Sequence, residues 1–300
     1  MATTDLPPAE LPPSVRLVPG ALDRLVVETP ASTAEIVLQG AHVTAWAPRG
    51  AQPVLFTSTE ADFEPGVPVR GGVPICFPWF GKGRDKDRTP QHGFARTLPW
   101  SLVAVTEEGD AVTVVLRLTD DEATRASAWA HPFEATYRVS VGQVLSLALE
   151  VRNTGGEPFT FEEALHTYFA VSDLAEATLG GLEGAEYVDT VEGETRREEA
   201  PVRLEGFADR VYPGSESDLV LTDPGHGRVI RNTKRRSRST IVWNPGAANA
   251  AAMADFGDDE WPAMICAETG NVWDDAVELA PGESHTMTVE LSVEDLDGAR

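Results

Sequence analysis

Residues 133–151 read F-E-A-T-Y-R-V-S-V-G-Q-V-L-S-L-A-L-E-V. Phe133, Ala135, Tyr137, Val139 and Val141 alternate with Glu134, Thr136, Arg138 and Ser140, and after a turn at Gly142 the alternation resumes through Leu145, Leu147, Leu149 and Val151. Successive side chains of a strand point to opposite faces, so this period of two predicts a hairpin with one buried face. Residues 112–118, which follow the turn Glu108-Gly109-Asp110, read the same way, as do 25–28, 34–38, 43–47 and 285–293. Only 122–129 reads as helical, and it is short. Strands at this spacing, without long helices between them, predict an all-β protein built as a large antiparallel β-sandwich rather than any βαβ fold. No internal repeat or break in composition divides the chain. The expected organisation is a loose arm over residues 1–20, where Pro7, Pro8, Pro12 and Pro13 fall, and one β-sandwich catalytic domain over 21–300.

Charge narrows the function. The 300 residues carry 24 Lys and Arg against 48 Asp and Glu, a formal net charge of −24. Such a field repels nucleic-acid phosphates and anionic lipid, so neither nucleic acid nor a membrane surface is an expected partner. No apolar run approaches the ~18 residues needed to span a bilayer. Cys76 and Cys266 lie far apart with no C-x-x-C spacing, and no basic-plus-apolar segment opens the chain, which together predict a reducing cytoplasmic setting. A monomer is expected.

The cations are unevenly placed. Residues 70–96 hold Arg70, Lys82, Arg84, Lys86, Arg88 and Arg96 against Asp85 and Asp87, and residues 228–238 hold Arg228, Arg231, Lys234, Arg235, Arg236 and Arg238 with no acid. The windows carry +4 and +6, leaving −34 on the remainder. The first suggests a local site for a small anion. The second is expected to face water, as charge runs usually do.

Three segments could carry chemistry. Residues 69–81, V-R-G-G-V-P-I-C-F-P-W-F-G, followed by P-Q-H-G-F-A-R at 90–96, combine paired glycines with clustered aromatics. They fit a binding loop and equally a buried strand corner with Arg70 reaching for solvent. His92 fits a ligand or a capped turn. Residues 159–172, F-T-F-E-E-A-L-H-T-Y-F-A-V-S, place His166 opposite the Phe159, Phe161, Leu165 and Phe169 stripe if they form a strand. Residues 264–272, M-I-C-A-E-T-G-N-V, set Glu268 after a short apolar strand and before a glycine turn. The segments D-R-V-Y at 209–212 and V-W-N-P at 242–245 read as polar loops with an aromatic neighbour. No H-E-x-x-H, C-x-x-C, Walker A, G-x-S-x-G or G-x-G-x-x-G occurs, so neither metal nor cofactor is expected, and proton transfer by His and carboxylate remains.

Taken together, R-G-G-V-P-I-C-F-P-W-F-G, Q-H-G-F-A-R, E-A-L-H-T-Y-F, D-R-V-Y, V-W-N-P and C-A-E-T-G-N-V resemble, in order and separation, the hexose-6-phosphate mutarotases. These are the glucose-6-phosphate 1-epimerases of the aldose 1-epimerase family, and the resemblance runs from about residue 20 onward. It implies a β-sandwich of the galactose-mutarotase type and interconversion of the α and β anomers of a hexose 6-phosphate. His166 matches the family's catalytic histidine and Glu268 its catalytic carboxylate. Arg70, Gln91, Arg96 and Asp209 match substrate-contacting positions, with His92 in reserve. On this reading Glu268 is the base at O1, protonated His166 the acid at O5, and Arg70 and Arg96 hold the phosphate. The family often carries a bulky aromatic after V-W-N-P and a lysine three residues later, where this chain has Gly246 and Asn249, so a change in one pocket wall or charge is expected there. The competing readings are a non-catalytic sugar-binding sandwich, a mutarotase for an unphosphorylated aldose, and a glycoside hydrolase, which would want two carboxylates instead of a His–Glu pair.

Overall fold

The alternating segment at 133–151 forms the middle of an eight-stranded antiparallel sheet. In the computed structural model, which describes residues 11–84 and 86–296, strands Phe133–Val141 and Leu145–Asn153 pair with Tyr137 opposite Leu149 and Val139 opposite Leu147. Every apolar residue of the alternation is buried. The order across this first sheet is Thr178–Gly180, Leu219–Asp223, Arg228–Arg235, Ser284–Asp295, Leu145–Asn153, Phe133–Val141, Ala111–Thr119 and Ser101–Glu108.

A second eight-stranded sheet lies against it. Its path runs Glu194–Arg197, Glu186–Asp189, Ala208–Pro213, Ser239–Asn244, Met264–Asn271, Glu163–Leu165 and Ile75–Cys76, and Tyr168–Ala170 also pairs with Met264–Asn271. One continuous apolar core joins Val139, Leu147, Ile230 and Met287 of the first sheet to Ile265, Ala267, Leu165 and Val242 of the second. Burial of these side chains on folding is the main favourable term, at about 1.5–3 kcal/mol for each large one. A four-stranded antiparallel sheet, Val15–Val18, Arg24–Glu28, Ser32–Val37 and His42–Pro48, closes onto the same core through Leu25, Ile36 and Trp46. Among the described residues no helix is long and apolar enough to cross a membrane.

Several expectations are corrected. Residues 1–10 of the expected arm lie outside the described residues. Its later part is no loose arm, because Val15–Val18 pairs with Arg24–Glu28. The expected helix is one turn, Glu122–Arg125, begun by Asp121 accepting from Thr124 N–H; the chain then turns to bury Trp129, whose Nε1 donates to Thr160 O at 2.8 Å. Both supposed polar loops, at 209–212 and 242–245, lie largely within adjacent central strands. The second basic window is not uniformly solvated. Arg228 is buried and pairs with Asp223 at 3.1 Å, and Lys234 is buried with its ammonium donating to Ser215 O, Ser239 O and Thr240 Oγ1. These two sit on the inward parity of their strand, where a charge needs internal partners.

Candidate active site

Residues 159–170 are three short strands rather than one, because the chain changes partners as it goes. Phe159–Phe161 pairs with Val277–Leu279, and Glu163–Leu165 and Tyr168–Ala170 both pair with Met264–Asn271. Leu165 opposes Thr269 and Tyr168 opposes Cys266, so the same register carried through residues 166–167 sets His166 directly across from Glu268. The next strands continue the rows. Ile241 opposes Glu268 and Trp243 opposes Cys266, then Val211 opposes Ile241 and Asp209 opposes Trp243. Because alternate residues share a face, His166, Tyr168, Glu268, Trp243 and Asp209 all project from the side of the sheet away from the core. Glu268 therefore stands within a strand, not at its end.

These residues form the floor of a cavity of about 870 Å³. All six residues singled out in the sequence, Arg70, Gln91, Arg96, His166, Asp209 and Glu268, line it, together with His92. The walls come from loops that glycine makes possible. Gly72 has φ +62 and a Cβ there would stand 2.3 Å from Val43 O; Gly93 has φ +75 and would meet Phe77 O at 2.1 Å. Neither position admits a side chain, so the backbones that carry Arg70 and His92 press directly on their neighbours.

The proton chemistry centres on one contact. His166 Nε2 lies 3.3 Å from Glu268 Oε1, with Glu268 1% exposed and His166 7%. The remaining polar atoms, His166 Nδ1 and Glu268 Oε2, are buried without a hydrogen-bond partner. Burial lowers the His166 pKa to about 3, helped by the Arg96 and Arg70 charges, and pushes the Glu268 carboxyl well above the usual carboxylate range, helped by Asp209 and opposed by Arg96. Both groups are thus driven towards their neutral forms, and the pair holds one mobile proton. His166 is oriented by Tyr168, stacked at 4.9 Å between ring centroids, and by the His92 ring at 5.5 Å. His92 is itself fixed: Gly81 N–H donates to its Nδ1 at 3.3 Å and Cys76 Sγ lies 3.4 Å from the same atom. On its other side the Gln91 side-chain Nε2 lies 3.2 Å from the His92 Nε2.

The two arginines differ. Arg70 is engaged, donating from Nε and Nη2 to the Asp255 carboxylate at 3.1 and 3.2 Å and from Nη1 to Tyr168 OH at 3.3 Å. Arg96 donates one bond, from Nη2 to Gln91 O at 2.8 Å, and its Nε is buried without a partner. Among the described residues no carboxylate pairs with it, and burial lowers its pKa. Lys82 and Lys86 line the same cavity. Burial also raises the Asp209 pKa.

Sequence reasoning missed Asp255, Trp273 and the placement of Lys82. Tyr168 was legible, since it shares parity with His166; Asp255 sits in a loop with no motif of its own. At the two departures, neither Gly246 nor Asn249 is among the residues that line the cavity of this chain. Gly246 has φ +63 and a Cβ would lie 2.5 Å from Phe207 N, while Asn249 donates to Pro245 O at 2.9 Å. Among the described residues no three His, Cys, Asp or Glu side chains converge to hold a metal ion.

Residues 23–292 match the sequence profile of the family described as aldose 1-epimerase. The chain is 37% identical over 251 residues to a "Putative glucose-6-phosphate 1-epimerase" of Escherichia coli, covering 83% of each. It is 35% identical over 288 residues to a protein of the same name from Cenchrus ciliaris, covering 91% of this chain and 85% of that one. The crystal structure of a "putative mutarotase (YeaD)" from Salmonella typhimurium superposes with a TM-score of 0.89 at 34% identity, covering 95% of each chain. A galactose mutarotase-like protein from Clostridium acetobutylicum shares the fold at 15% identity, with a TM-score of 0.74 over 94% of this chain and 98% of that one.

Proposed function

The chain belongs to the aldose 1-epimerase family, and we propose that it interconverts the α and β anomers of a hexose 6-phosphate, with glucose 6-phosphate as the first substrate to test. The observation that carries this reading is the His166–Glu268 pair, with one unpartnered polar atom on each residue, at the floor of a sugar-sized cavity. Anomer exchange needs a proton taken from the C1 hydroxyl and one given to the ring oxygen, so that the C1–O5 bond opens to the aldehyde. Rotation about C1–C2 and reversal of both transfers closes the ring as the other anomer. Glu268 acts as base at O1 and His166 as acid at O5, and each role reverses on closure. Each positioned group contributes about 10²–10⁴-fold. The working form, Glu268 ionised and His166 protonated, contains the same single proton as the neutral pair, so binding the sugar has only to move it across the 3.3 Å contact.

For the phosphate, Arg96 is the better-placed cation because no carboxylate among the described residues occupies it, and Lys82 and Lys86 add charge on the same cavity. Arg70 contributes through its hold on Tyr168, its own charge being largely matched by Asp255. Asp209 and Gln91 face sugar hydroxyls. The names of the relatives in Escherichia coli and Cenchrus ciliaris support a phosphorylated substrate. Magnetisation exchange between the anomers of glucose 6-phosphate, measured by NMR with and without protein, tests the reading. Acceleration for glucose 6-phosphate well above that for glucose is expected. No acceleration for either sugar sinks it, and equal rates would transfer the activity to an unphosphorylated aldose.

A further inference from the structure

Glu162 is buried, 5% exposed, and does not line the cavity. Its carboxylate has no cationic partner among the described residues. Instead Oε2 accepts from Phe80 N–H at 3.0 Å and Oε1 from Trp273 N–H at 2.6 Å. A buried carboxylate satisfied only by two backbone donors is an expensive device for mere packing. What it joins is informative. Phe80 and Trp273 both line the cavity, and they belong to loops about 190 residues apart in sequence that share no strand pairing. Glu162 also donates its own N–H to Pro78 O at 3.0 Å, so three bonds from one residue hold the 78–80 turn and the 273 loop together. Trp273 takes φ +57, a left-handed conformation that a tryptophan keeps only when its surroundings hold it there. An outer ion pair between Arg84 and Asp274 spans the same two loops, but both side chains are well exposed and such pairs contribute little.

We infer that Glu162 is a positioning residue for substrate binding, setting the stance of the Phe80 and Trp273 loops over the cavity without touching the sugar or moving a proton. The inference rests on the epimerase reading. The Phe80 turn runs on into Gly81 and Lys82, which line the same cavity, so the clamp also sets where that lysine stands. Phe80 is separated from His166 by the His92 ring, at 4.8 Å and 5.5 Å between centroids, so the clamp acts on the part of the site removed from the proton-transfer pair. Interactions made equally in ground and transition states appear in KM.

The near-isosteric Glu162→Gln keeps one acceptor and turns an amide N–H towards the other backbone donor. Its KM is expected to rise about tenfold, with kcat within about twofold of wild type and an unchanged pH profile. Faster hydrogen exchange at the Phe80 and Trp273 amides should accompany this, with the remaining backbone amides unchanged. An unaltered KM overturns the inference, as does a fall in kcat at constant KM. Glucose 6-phosphate and glucose are both measured. Failure of the phosphate reading appears in the wild type, whereas failure of the clamp appears in the ratio of variant to wild-type KM on whichever sugar the wild type turns over; a wild type that turns over neither overturns both.

Discussion

The histidine and the carboxylate at the floor of the cavity are a coupled pair whose proton count, rather than whose separate charges, decides activity. Adding a second proton requires acid conditions because burial holds His166 down, to about 3, and losing the shared proton requires a pH well above the usual carboxylate range because burial holds Glu268 up. The kcat/KM profile should therefore be flat across neutrality, with an acid limb where the pair takes its second proton and an alkaline limb where it loses the last. A profile falling through pH 6.5, as for an exposed histidine, would contradict this arrangement. His166→Asn and Glu268→Gln should each slow anomer exchange by about 10²–10⁴-fold while leaving the far-UV spectrum intact. Near-wild-type exchange in either would remove the assignment. Arg96→Ala should raise KM for glucose 6-phosphate by about tenfold or more and leave glucose unaffected, since a charge-assisted phosphate contact contributes about 1.5–3 kcal/mol. The sequence pointed to all of these residues through motif resemblance. That Arg70 already holds Asp255 while Arg96 has no carboxylate among the described residues was illegible, because pairing partners 185 residues apart meet only in the folded chain.

At the scale of elements, the site depends on strand register. A slip of one residue between 163–170 and Met264–Asn271 would turn either His166 or Glu268 into the core, so packing of Leu165, Phe169, Ile265 and Ala267 behind the sheet also enforces the catalytic alignment in front. Lys234 is part of this backing. From the first sheet its ammonium reaches Ser239 O and Thr240 Oγ1 of a strand in the second, one strand from Glu268, and burial lowers its pKa to about 7. A lysine with a depressed folded pKa binds fewer protons than the unfolded chain as pH rises from about 7 towards 10.5, so it makes stability increase with pH over that window. Lys234→Met should lose this increase, visible as a difference between the two pH–stability curves. Below pH 7 it should also remove the donor to Ser215 O, while Ser239 O keeps Ser237 Oγ and Thr240 Oγ1 keeps Ser215 Oγ, at a net loss of about 1–3 kcal/mol in denaturant unfolding. Equal curves would show that the lysine is not a strut. The alternating strands of both halves were legible because each buries one face. The short strands at 163–165 and 168–170 and the central strands at 208–213 and 239–244 were misread or run together, because strands covered on both faces lose their period of two.

Across the whole molecule, the net charge of −24 coexists with a cavity that gathers Arg70, Lys82, Lys86 and Arg96. The acidity is spread over the surface, and the site's sign is set locally. Two buried neutral histidines give the fold a weakness to acid. His42 Nε2 donates to Gly71 O at 2.7 Å and burial lowers its pKa to about 4, in parallel with His166. Unfolded histidines take up protons from about pH 6.5, so stability is full above that value and falls as pH drops towards 4, by on the order of 3 kcal/mol from His42 alone. The thermal midpoint should drop steeply between pH 6.5 and 4.5. A midpoint unchanged over that interval would mean that the histidines are not held neutral. By itself the sequence determined the all-β class, the positions of the long hairpins, the motif residues and the absence of any known phosphate-loop or metal signature, because periodicity and turn chemistry are local properties of the chain. Only the tertiary structure decided which cavity arginine has a carboxylate partner among the described residues, and which loops Glu162 ties together. Those outcomes depend on contacts between segments far apart in sequence, which form only once two sheets share a core.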